Sequence, residues 1–268
     1  MDLWPASLEV GGIKKSSPIY KFYYDLSKKI YTNVDKILVT SRMFQNYFIE
    51  EFGISEDRIE YLPQYAISEF DNIPNQPEKN TTDFVFAGNV GTAQNLYVIL
   101  KAAKSVQQEE LSDNGKKIYF HIIGDGQELD NLKKYAQDNR IQNVIFHGRK
   151  PSEEMPRYYA FADAMIVTLT ANPLVSLTLP AKVQSYMAAE KPILASANGE
   201  IANVIKESGA GFCSQADDVQ GFADIVKQFL DRNNRDNMGK RAKEYYDNNF
   251  SREKVMNKLE KILLEEIN

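Results

Sequence analysis

Short apolar runs alternate with longer segments of helical pattern through the middle of the chain, between residues 83 and 214. The runs are rich in β-branched and aromatic residues and cover 83–87, 117–123, 144–147, 164–169 and 192–195. Segments 92–108, 127–139, 152–160 and 181–189 have the length and composition of crossover helices. Because the runs are apolar almost throughout, both faces of the sheet must be covered. The pattern predicts an α/β fold with a Rossmann-like, doubly wound parallel sheet.

Extra helices are predicted toward the C-terminus, where two apolar stripes recur at helical spacing. The first stripe consists of Phe222, Ile225, Val226, Phe229 and Leu230, and the second of Val255, Leu259, Ile262, Leu263 and Ile267. The second stripe follows Ser251, a residue type that favours the helix N-cap. We therefore expect the chain to end in a helix over residues 251–268.

The first seventy residues differ from the rest because they carry few strand signals. A helical stripe of Ile19, Phe22, Tyr23, Leu26 and Ile30 is flanked by Lys14, Lys15, Lys21, Lys28 and Lys29. One strand is predicted at 37–40, followed by a helix that Ser41 caps and Gly53 closes. Residues 63–80 contain three prolines and several asparagines, which is typical of a linker. One strand and two helices cannot form a sheet domain, so this part needs another surface to pack on.

Composition narrows the class of protein. Of the 268 residues 43% are apolar, which suffices for a core and excludes a disordered or fibrous chain. Lys and Arg number 32 against 37 Asp and Glu, and the net charge of −5 argues against general nucleic-acid binding. The single cysteine, Cys213, cannot form an internal disulfide, and no signal peptide or membrane-spanning apolar run is evident. A cytoplasmic location is therefore expected.

Ligands of a doubly wound sheet bind beyond the carboxyl ends of its strands, so the loops at these positions are the candidate sites. The first loop, GNVGTAQ at 88–94, contains Gly88 and Gly91, which let the backbone approach a ligand closely. A helix start predicted behind the loop offers free N–H groups to a diphosphate. A tight strand-to-helix turn is the alternative interpretation.

The second loop, GDGQE at 124–128, begins like a dinucleotide-binding fingerprint but has Leu129 at the place of the third glycine. We therefore expect Gly124 to shape a turn beside the ligand. Asp125 is interpreted either as a turn or cap residue or as a functional one.

Two further loops carry cations. Arg149 and Lys150 follow the strand at 144–147 and suit a phosphate or a nucleobase edge, with a solvated loop before a helix capped by Ser152 as the alternative. Thr178 leads into the helix at 181–189, whose first turn contains Lys182. Because a cation at a helix N-terminus opposes the helix dipole, Lys182 is the best single candidate for binding a phosphate.

Other chemistry is weakly indicated. No nucleophile triad, metal cluster or pair of carboxylates stands out, so the catalytic residue is unknown and no metal is predicted. His121 and His147 lie within strand patterns and are predicted to be core or strand-end residues.

The four loops, in this order, resemble the C-terminal half of GT-B glycosyltransferases of family 4, the group 1 glycosyl transferases. The resemblance extends from about residue 83 to 255 and rests on FVFAGNVGTAQNL, IIGDGQELDNL, VIFHGRKPSEEMPRYYAFADAMIV, LPAKVQSYMAAEKPILAS and ESGAG. A G-N-x-G-x-A-Q loop is typical of bacterial members that build O-antigen or capsule. The segment DLWPAS at 2–7 is similar to a DLWPxS segment late in their N-terminal domain.

This resemblance implies two Rossmann-like domains, of which the C-terminal one holds a UDP- or GDP-linked sugar without a further cofactor. By similarity Gly88, Asn89 and Gly91 lie against the diphosphate and sugar, Arg149 near the base and Lys182 on the phosphates. The donor-binding set implied by the matching loops is Gly88, Asn89, Gly91, Gly124, Arg149, Thr178, Lys182 and Ser185.

The chain also departs from the family pattern. Many members carry two glutamates eight positions apart, whose counterparts here fall near Leu177 and on Ser185, although a serine at the second position looks common in the bacterial subgroup. The usual Arg and Lys of the first loop are replaced by Asn89 and Gln94. More of the phosphate charge therefore falls to Lys182 and Arg149.

The resemblance divides the chain into a remnant of the N-terminal acceptor domain with a linker (1–74), a nucleotide-sugar-binding domain (75–250) and a C-terminal helix (251–268). The basic aromatic segment 14–32 is similar to the membrane-facing surface of such enzymes, and an amphipathic helix bordered by lysines suits an anionic bilayer. Packing against a partner domain is the alternative.

The sequence thus predicts a hexosyltransferase, by family resemblance a retaining one, that transfers a sugar to a cell-envelope glycan or a lipid-linked acceptor. The alternative is a non-catalytic nucleotide-sugar-binding subunit or remnant that needs a partner chain for the acceptor domain. A nicotinamide-dependent oxidoreductase is disfavoured because no loop completes the glycine fingerprint.

Overall fold

The computed structural model describes residues 3–70, 73–74, 78–231, 235 and 237–267. In this part of the chain the strands are β1 (Ile37–Val39), β2 (Ile59–Tyr61), β3 (Thr81–Ala87), β4 (Lys117–Ile123), β5 (Val144–Gly148), β6 (Ala164–Thr168), β7 (Ile193–Ser196) and β8 (Gly211–Ser214). The helices are α1 (Ser7–Val10), α2 (Pro18–Asn33), α3 (Phe44–Phe52), α4 (Tyr97–Gln108), α5 (Leu129–Asp138), α6 (Met155–Phe161), α7 (Pro173–Ser176), α8 (Ala181–Ala188), α9 (Glu200–Ser208), α10 (Val219–Leu230), α11 (Met238–Asn249) and α12 (Arg252–Ile267).

The described strands from β3 to β8 form a six-stranded parallel sheet in the order β5-β4-β3-β6-β7-β8. From β3 the chain adds β4 and then β5 on one side. It then crosses back and adds β6, β7 and β8 in turn on the other side of β3. This is the doubly wound order, whose switch point lies between the first strand and the fourth. The predicted fold class is confirmed, and ligands of such a sheet bind at the carboxyl ends of the strands.

Both faces of the sheet are covered, as the apolar runs predicted. Along β3, Phe84 and Phe86 point into one core cluster and Val85 and Ala87 into the other, since side chains alternate along a strand. One cluster packs against α4, α5 and α10, and the other against α6, α8, α9 and α11. The stripe predicted around Phe222 is buried in α10.

Two strands of the structure were not predicted from the sequence. The runs from 83 to 195 indicated five strands, whereas β8 adds a sixth at the edge of the sheet through the segment GFCS. Near the N-terminus a single strand was expected, but β1 pairs in parallel with β2, with Ile37 opposite Ile59. Both missed strands are short and contain glycine or charged residues, so their apolar signal is weak.

The N-terminal part is fixed to the main sheet by polar contacts. The prediction that Ser41 caps a helix is wrong: α3 begins at Phe44, and the Ser41 hydroxyl donates to the carbonyl of Leu177. The Arg42 guanidinium lies 3.1 Å from the Glu200 carboxylate and 2.8 Å from that of Glu207. Glu200 is 1% exposed, so its charge depends on Arg42 for compensation.

The last helix, α12, packs back against the N-terminal part. Lys258 of α12 lies 3.6 Å from the carboxylate of Glu60, and Lys36 lies 3.8 Å from that of Glu266. Val255 and Ile262 of the predicted stripe are buried, whereas Leu263 is 53% exposed. The last helix therefore lies beside the segment that carries β1 and β2.

Helix α2 carries two apolar faces. Ser17 caps it by accepting from the N–H of Tyr20, and the rings of Tyr24 and Tyr31 pack on Phe52 of α3 at 5.3 and 5.1 Å. The stripe predicted from the sequence points away from this contact. Its members Ile19, Phe22, Tyr23, Leu26 and Ile30 are between 37% and 64% exposed, and we call them the α2 stripe.

Across the described ranges, no helix combines the length and the apolar character needed to cross a membrane.

The contact between Arg42 and Glu200 leads to a stability prediction. Replacing Arg42 by Ala leaves the buried Glu200 carboxylate without its guanidinium, and we expect the free energy of unfolding to fall by about 1–3 kcal/mol. As a control, Lys261→Ala removes a surface pair with Glu265 and should change it by less than about 0.5 kcal/mol. Urea denaturation followed by circular dichroism measures both. Equal losses in the two variants contradict a structural role for the buried pair.

Candidate functional site

Three of the predicted loops meet where β3, β4 and β5 end. The N–H of Gly88 donates to the carbonyl of Ile123 at 2.9 Å, and the N–H of Gly124 donates to that of Gly148 at 2.9 Å. These bonds continue the sheet by one residue beyond each strand. The loops after the three strands are thus held side by side at the carboxyl edge.

Glycine is required at two of these positions because other atoms occupy the space of a side chain. Gly88 and Gly124 have φ angles of +144° and +140°, which disfavour other residues. A Cβ on Gly124 would lie 1.8 Å from the carbonyl oxygen of Gly88. A Cβ on Gly88 would lie 2.6 Å from the Nζ of Lys182. The Lys182 amine therefore rests directly on the Gly88 backbone.

Lys182 reaches this position from the first turn of α8, and Tyr186 one turn later fixes the helix to β3. The fully buried Tyr186 hydroxyl donates to the Ala87 carbonyl at 3.1 Å, and the Ala87 N–H donates back to it at 3.2 Å. Lys182 Nζ lies 4.0 Å from the centroid of the Phe86 ring. The residue as a whole is partly reached by solvent, whereas its amine lies among the buried atoms of β3.

The amine of Lys182 has no hydrogen-bond acceptor and no carboxylate partner among the residues that the structure describes. Burial lowers the pKa of Lys182 to about 7. By contrast, the buried Lys191 amine donates to the carbonyls of Ala160 and Ala162 at 3.1 and 3.0 Å. A lysine held near an aromatic ring, a glycine backbone and a helix N-terminus is electrostatically incomplete, and an anion would complete it.

An open cavity of about 460 Å³ lies at these loops, and we call it the first cavity. It is lined by Ala87, Gly88, Asn89, Ile123, Gly124, Asp125, Arg149, Lys150, Met155 and Tyr159. The structure thus brings Gly88, Asn89, Gly124 and Arg149 of the predicted set together, with Lys182 beside them. Arg149 and Lys150 form no ion pair within the described ranges, so their charges face the cavity and solvent.

The remaining predicted residues lie elsewhere. Gly91 is a buried residue of the loop at 88–94, and its N–H donates to the Gln94 side chain at 3.2 Å. Ser185 is half-buried on α8 and donates to the carbonyl of Ala181 at 3.2 Å. Thr178 lines a different cavity.

That second cavity has a volume of about 690 Å³ and lies between α1 and the loops before α8. It is lined by Leu3, Trp4, Ser7, Leu8, Val10, Gln64, Ala93, Gln94, Leu169, Leu174, Val175, Thr178, Leu179, Pro180 and Ala181. The loop at 88–94 separates the two cavities, because its first residues line the first cavity and its last residues line the second.

The expectation that an α-helix starts directly behind this loop is wrong. Residues Thr92–Gln94 form a short 3₁₀ turn, Asn95 is left-handed, and α4 begins only at Tyr97. The helix N-terminus that lies at the site is instead that of α8, which carries Lys182.

Asp125 stabilises the turn after β4. Its carboxylate accepts a hydrogen bond from the N–H of Gly126, and its carbonyl accepts one from the N–H of Val90.

Sequence analysis assigned no role to Met155 and Tyr159, which line the first cavity from α6. Their position one helical turn apart, just behind the Arg149 loop, is the signal that could have identified them.

The side chains of Asp83, His121 and His147 join the three strands β3, β4 and β5. His121 lies 2.9 Å from each of the other two side chains. Burial alone would raise the pKa of Asp83, but hydrogen bonds from His121 and Lys79 outweigh burial and lower this pKa to about 2.

Comparison with known proteins places the chain in a family. The family model described as "Glycosyl transferases group 1" matches residues 68–245. The probable glycosyltransferase WbjE of Pseudomonas aeruginosa is 29% identical over 86% of the chain, and the putative colanic acid biosynthesis glycosyl transferase WcaI of Escherichia coli is 23% identical over 84%. The chain spans 58% and 56% of these two relatives.

Solved structures share the fold. A glycosyltransferase from Rickettsia africae superposes with a TM-score of 0.74 at 15% identity, covering 89% of this chain and 66% of that one. Anabaena HepE in complex with UDP superposes with a TM-score of 0.76 at 14% identity, covering 93% and 70%.

The glycine contact leads to a second stability prediction. Gly124→Ala places a methyl group against the Gly88 carbonyl, and we expect a loss of about 2–4 kcal/mol from strain and overpacking together. Gly115 has a φ of +85° with nothing within 4 Å of its Cβ position, so Gly115→Ala isolates the backbone strain, about 1 kcal/mol. Urea denaturation of both variants measures the difference. If Gly124→Ala costs no more than Gly115→Ala, the loops do not pack as described.

The unpartnered lysine leads to a pH prediction. Unfolded lysine titrates near 10.4, so between about pH 7 and 10 the unfolded state binds a proton that folded Lys182 does not. Stability therefore rises with pH across this window. We expect Lys182→Met to be more stable than the parent at pH 7 by at least about 1 kcal/mol, with the gain fading toward pH 10.

Urea unfolding at several pH values between 6 and 10 measures this gain. Lys191→Met is the comparison variant: burial also lowers the pKa of Lys191, to about 8, but its amine donates to two carbonyls, so the variant loses these bonds and should be less stable than Lys182→Met at every pH in this range. A gain for Lys182→Met that does not depend on pH contradicts the titration.

Proposed function

The chain belongs to the glycosyl transferases group 1, and we propose that it binds the nucleotide-sugar donor for sugar transfer to a cell-envelope glycan or a lipid-linked acceptor. The nucleotide occupies the first cavity. The observation that carries this proposal is the Lys182 amine, which rests on Gly88 and the Phe86 ring with no hydrogen-bond acceptor and no carboxylate beside it among the described residues.

The charges around this position suit a diphosphate. Lys182 lies on one side of the Gly88 backbone, and Arg149 and Lys150 line the cavity that opens beside it. The N–H of Asn89 has no acceptor among the described residues and adds a neutral donor. Of the first cavity's lining, Asp125 alone carries a negative charge. The diphosphate binds through Lys182 and backbone N–H groups, and Arg149 lies toward the base.

In the proposed reaction the bond between the anomeric carbon and the β-phosphate oxygen breaks and its electron pair stays on that oxygen. The acceptor hydroxyl forms the new bond to the carbon and releases its proton to solvent. The leaving diphosphate gains negative charge as the bond breaks. Lys182 stabilises that charge in a position fixed before the reaction starts, which lowers the barrier. By family resemblance we propose retention of the anomeric configuration, a UDP- or GDP-linked donor and no additional cofactor.

The relatives support this assignment in part. WcaI is described as a putative colanic acid biosynthesis glycosyl transferase, which is consistent with a cell-envelope acceptor. HepE has been crystallised with UDP and with UDP-glucose, and TarM with UDP. These ligands support a nucleotide-sugar donor.

A second candidate function follows from the length of the relatives and the surface of α2. The chain spans little more than half of WbjE and WcaI, and the members of the α2 stripe are between 37% and 64% exposed. A non-catalytic nucleotide-sugar-binding subunit that joins a separate acceptor-domain chain would use this surface. Peripheral contact of segment 14–32 with the inner face of the plasma membrane is the alternative use. Sugar transfer catalysed by the 268-residue chain alone would exclude the two-chain arrangement.

The proposal predicts the effect of removing the lysine. We expect Lys182→Ala to weaken binding of UDP or GDP by about 1–3 kcal/mol, or roughly 5- to 150-fold, because a charged hydrogen bond to the diphosphate is lost. Lys101→Ala, at an exposed position on α4, is the matched control and should bind like the parent. Isothermal titration calorimetry measures the dissociation constants after a thermal-shift panel of UDP, GDP, ADP, CMP and NAD has selected the nucleotide.

Unchanged affinity in Lys182→Ala would refute the assignment of Lys182. Stabilisation by NAD and not by UDP or GDP would favour an oxidoreductase instead.

A further inference from the structure

We propose that the Tyr159 hydroxyl recognises the nucleobase in the first cavity by donating a hydrogen bond to a keto oxygen of the base. Tyr159 is then a specificity-determining residue, because it favours a base with a keto group over one with an amino group at the same position. This inference rests on the proposed function and assigns a role in the nucleotide site to a residue outside the set predicted from the sequence.

The Tyr159 hydroxyl is a polar group that the protein leaves without a partner. Tyr159 is 4% exposed, yet its hydroxyl forms no hydrogen bond with any of the described residues. Among the described side chains, only the Tyr61 hydroxyl and the side-chain oxygen of Asn143 are both unpartnered and sealed from solvent. The Tyr159 hydroxyl therefore reaches open space, and the space that this residue lines is the first cavity. Only water or a ligand can bind it there.

Neighbouring rings fix the direction of this hydroxyl. The Tyr159 ring is stacked on that of Phe70, with centroids 4.6 Å apart and planes at 11°. It meets the Tyr186 ring edge-on, at 5.4 Å and 71°, and Tyr186 is itself held to the backbone of Ala87 by two hydrogen bonds. Because the hydroxyl is positioned before a ligand binds, a hydrogen bond to the ligand costs little side-chain entropy.

The place of Tyr159 in the cavity assigns its hydroxyl to the base and not to the diphosphate. The Lys182 amine lies at the end of β3, whereas Arg149 follows β5, two strands away, or about 10 Å at the usual strand spacing. Tyr159 and Met155 belong to α6, the helix that the chain enters through the Arg149 loop. Together with Ile123 they line the cavity with a phenol, a thioether and an aliphatic group, which suit the face of an aromatic base.

The other polar groups of the lining determine which edge of a base fits. The side chains of Arg149 and Lys150 can only donate hydrogen bonds. The one carboxylate of the lining, that of Asp125, already accepts from the N–H of Gly126. An amino group of the base would meet these donors with further donors, and the hydrogen of the Tyr159 hydroxyl would lack an acceptor.

A keto oxygen removes this conflict, because it accepts from the hydroxyl. Burial raises the pKa of Tyr159 well above its usual range, so the hydroxyl keeps the hydrogen that it donates. The arrangement thus favours uracil over cytosine, and guanine over adenine, at the position where the first of each pair carries a keto oxygen and the second an amino group.

UDP and CDP give the sharpest comparison, since their ribose and diphosphate are identical. We expect the protein to bind UDP at least about 10-fold more tightly than CDP, because the amino group of CDP faces donors. Isothermal titration calorimetry of the 268-residue protein measures both dissociation constants. GDP and ADP take the place of UDP and CDP if the nucleotide panel selects a purine.

Two adjacent tyrosines provide the variant and its matched control. Tyr159→Phe removes only the hydroxyl, and we expect it to weaken UDP binding about 3- to 10-fold while changing CDP and inorganic diphosphate binding by less than about twofold. The Tyr158 hydroxyl is on the same helix, in a residue that is 6% exposed, but it accepts from Arg157 at 3.3 Å and lies outside the lining of the cavity. Tyr158→Phe should therefore bind UDP within about twofold of the parent.

The ratio of UDP to CDP affinity separates recognition from a structural role, because damage to the fold would weaken both nucleotides together. Equal affinities of the parent for UDP and CDP would overturn the proposal without any variant. A Tyr159→Phe protein with the parent's ratio would overturn it as well, and weaker binding of inorganic diphosphate by that variant would assign the hydroxyl to the phosphates instead.

Failure of this inference is distinguishable from failure of the proposed function. If only the inference fails, Lys182→Ala weakens UDP binding and Tyr159→Phe leaves it unchanged. If neither UDP nor GDP binds to the parent, the proposed function fails and the role of Tyr159 fails with it.

Discussion

The close approach of two strand ends is the constraint on which the site depends. The Gly88 carbonyl lies where a side chain on Gly124 would begin, and the Lys182 amine lies where one on Gly88 would begin. Any larger residue at either position would separate the β3 and β4 loops or push the lysine out. The two glycines are therefore needed for packing as well as for approach to a ligand, and they place a buried amine directly beside Gly88, one of the residues that line the first cavity.

That amine is held at an energetic disadvantage. It lies beside an aromatic ring and at the N-terminus of α8, and none of the described side chains neutralises it, which is why burial moves its pKa to about 7. Two other cationic groups of the protein have partners: Lys191, whose pKa burial also lowers, donates to two carbonyls, and Arg42 pairs with a buried glutamate. A buried cationic group that the protein leaves incomplete is a candidate for binding, since a ligand can supply what the protein does not.

The sequence predicted the sheet well because a parallel strand covered on both faces must be continuously apolar, and the five longest runs are. It missed β8 and β2, where the run is short or interrupted, so that partners distant in sequence decide the pairing. Within the site, Gly88, Gly124, Arg149 and Lys182 follow from their places after strands or at a helix start. The separation of Thr178 into a second cavity, and the reach of Ser41 to Leu177, depend on tertiary contacts that no local pattern encodes.

The most direct test of the central claim, that a nucleoside diphosphate completes the charge of Lys182, is the proton balance of binding. Isothermal titration calorimetry of UDP and GDP at about pH 8.5, in buffers of different ionisation enthalpy, measures it. Because free Lys182 is then mostly neutral and the bound diphosphate favours its charged form, the account predicts uptake of close to one proton per nucleotide, lost in Lys182→Ala. Binding without proton uptake, or equal uptake by the variant, would contradict it.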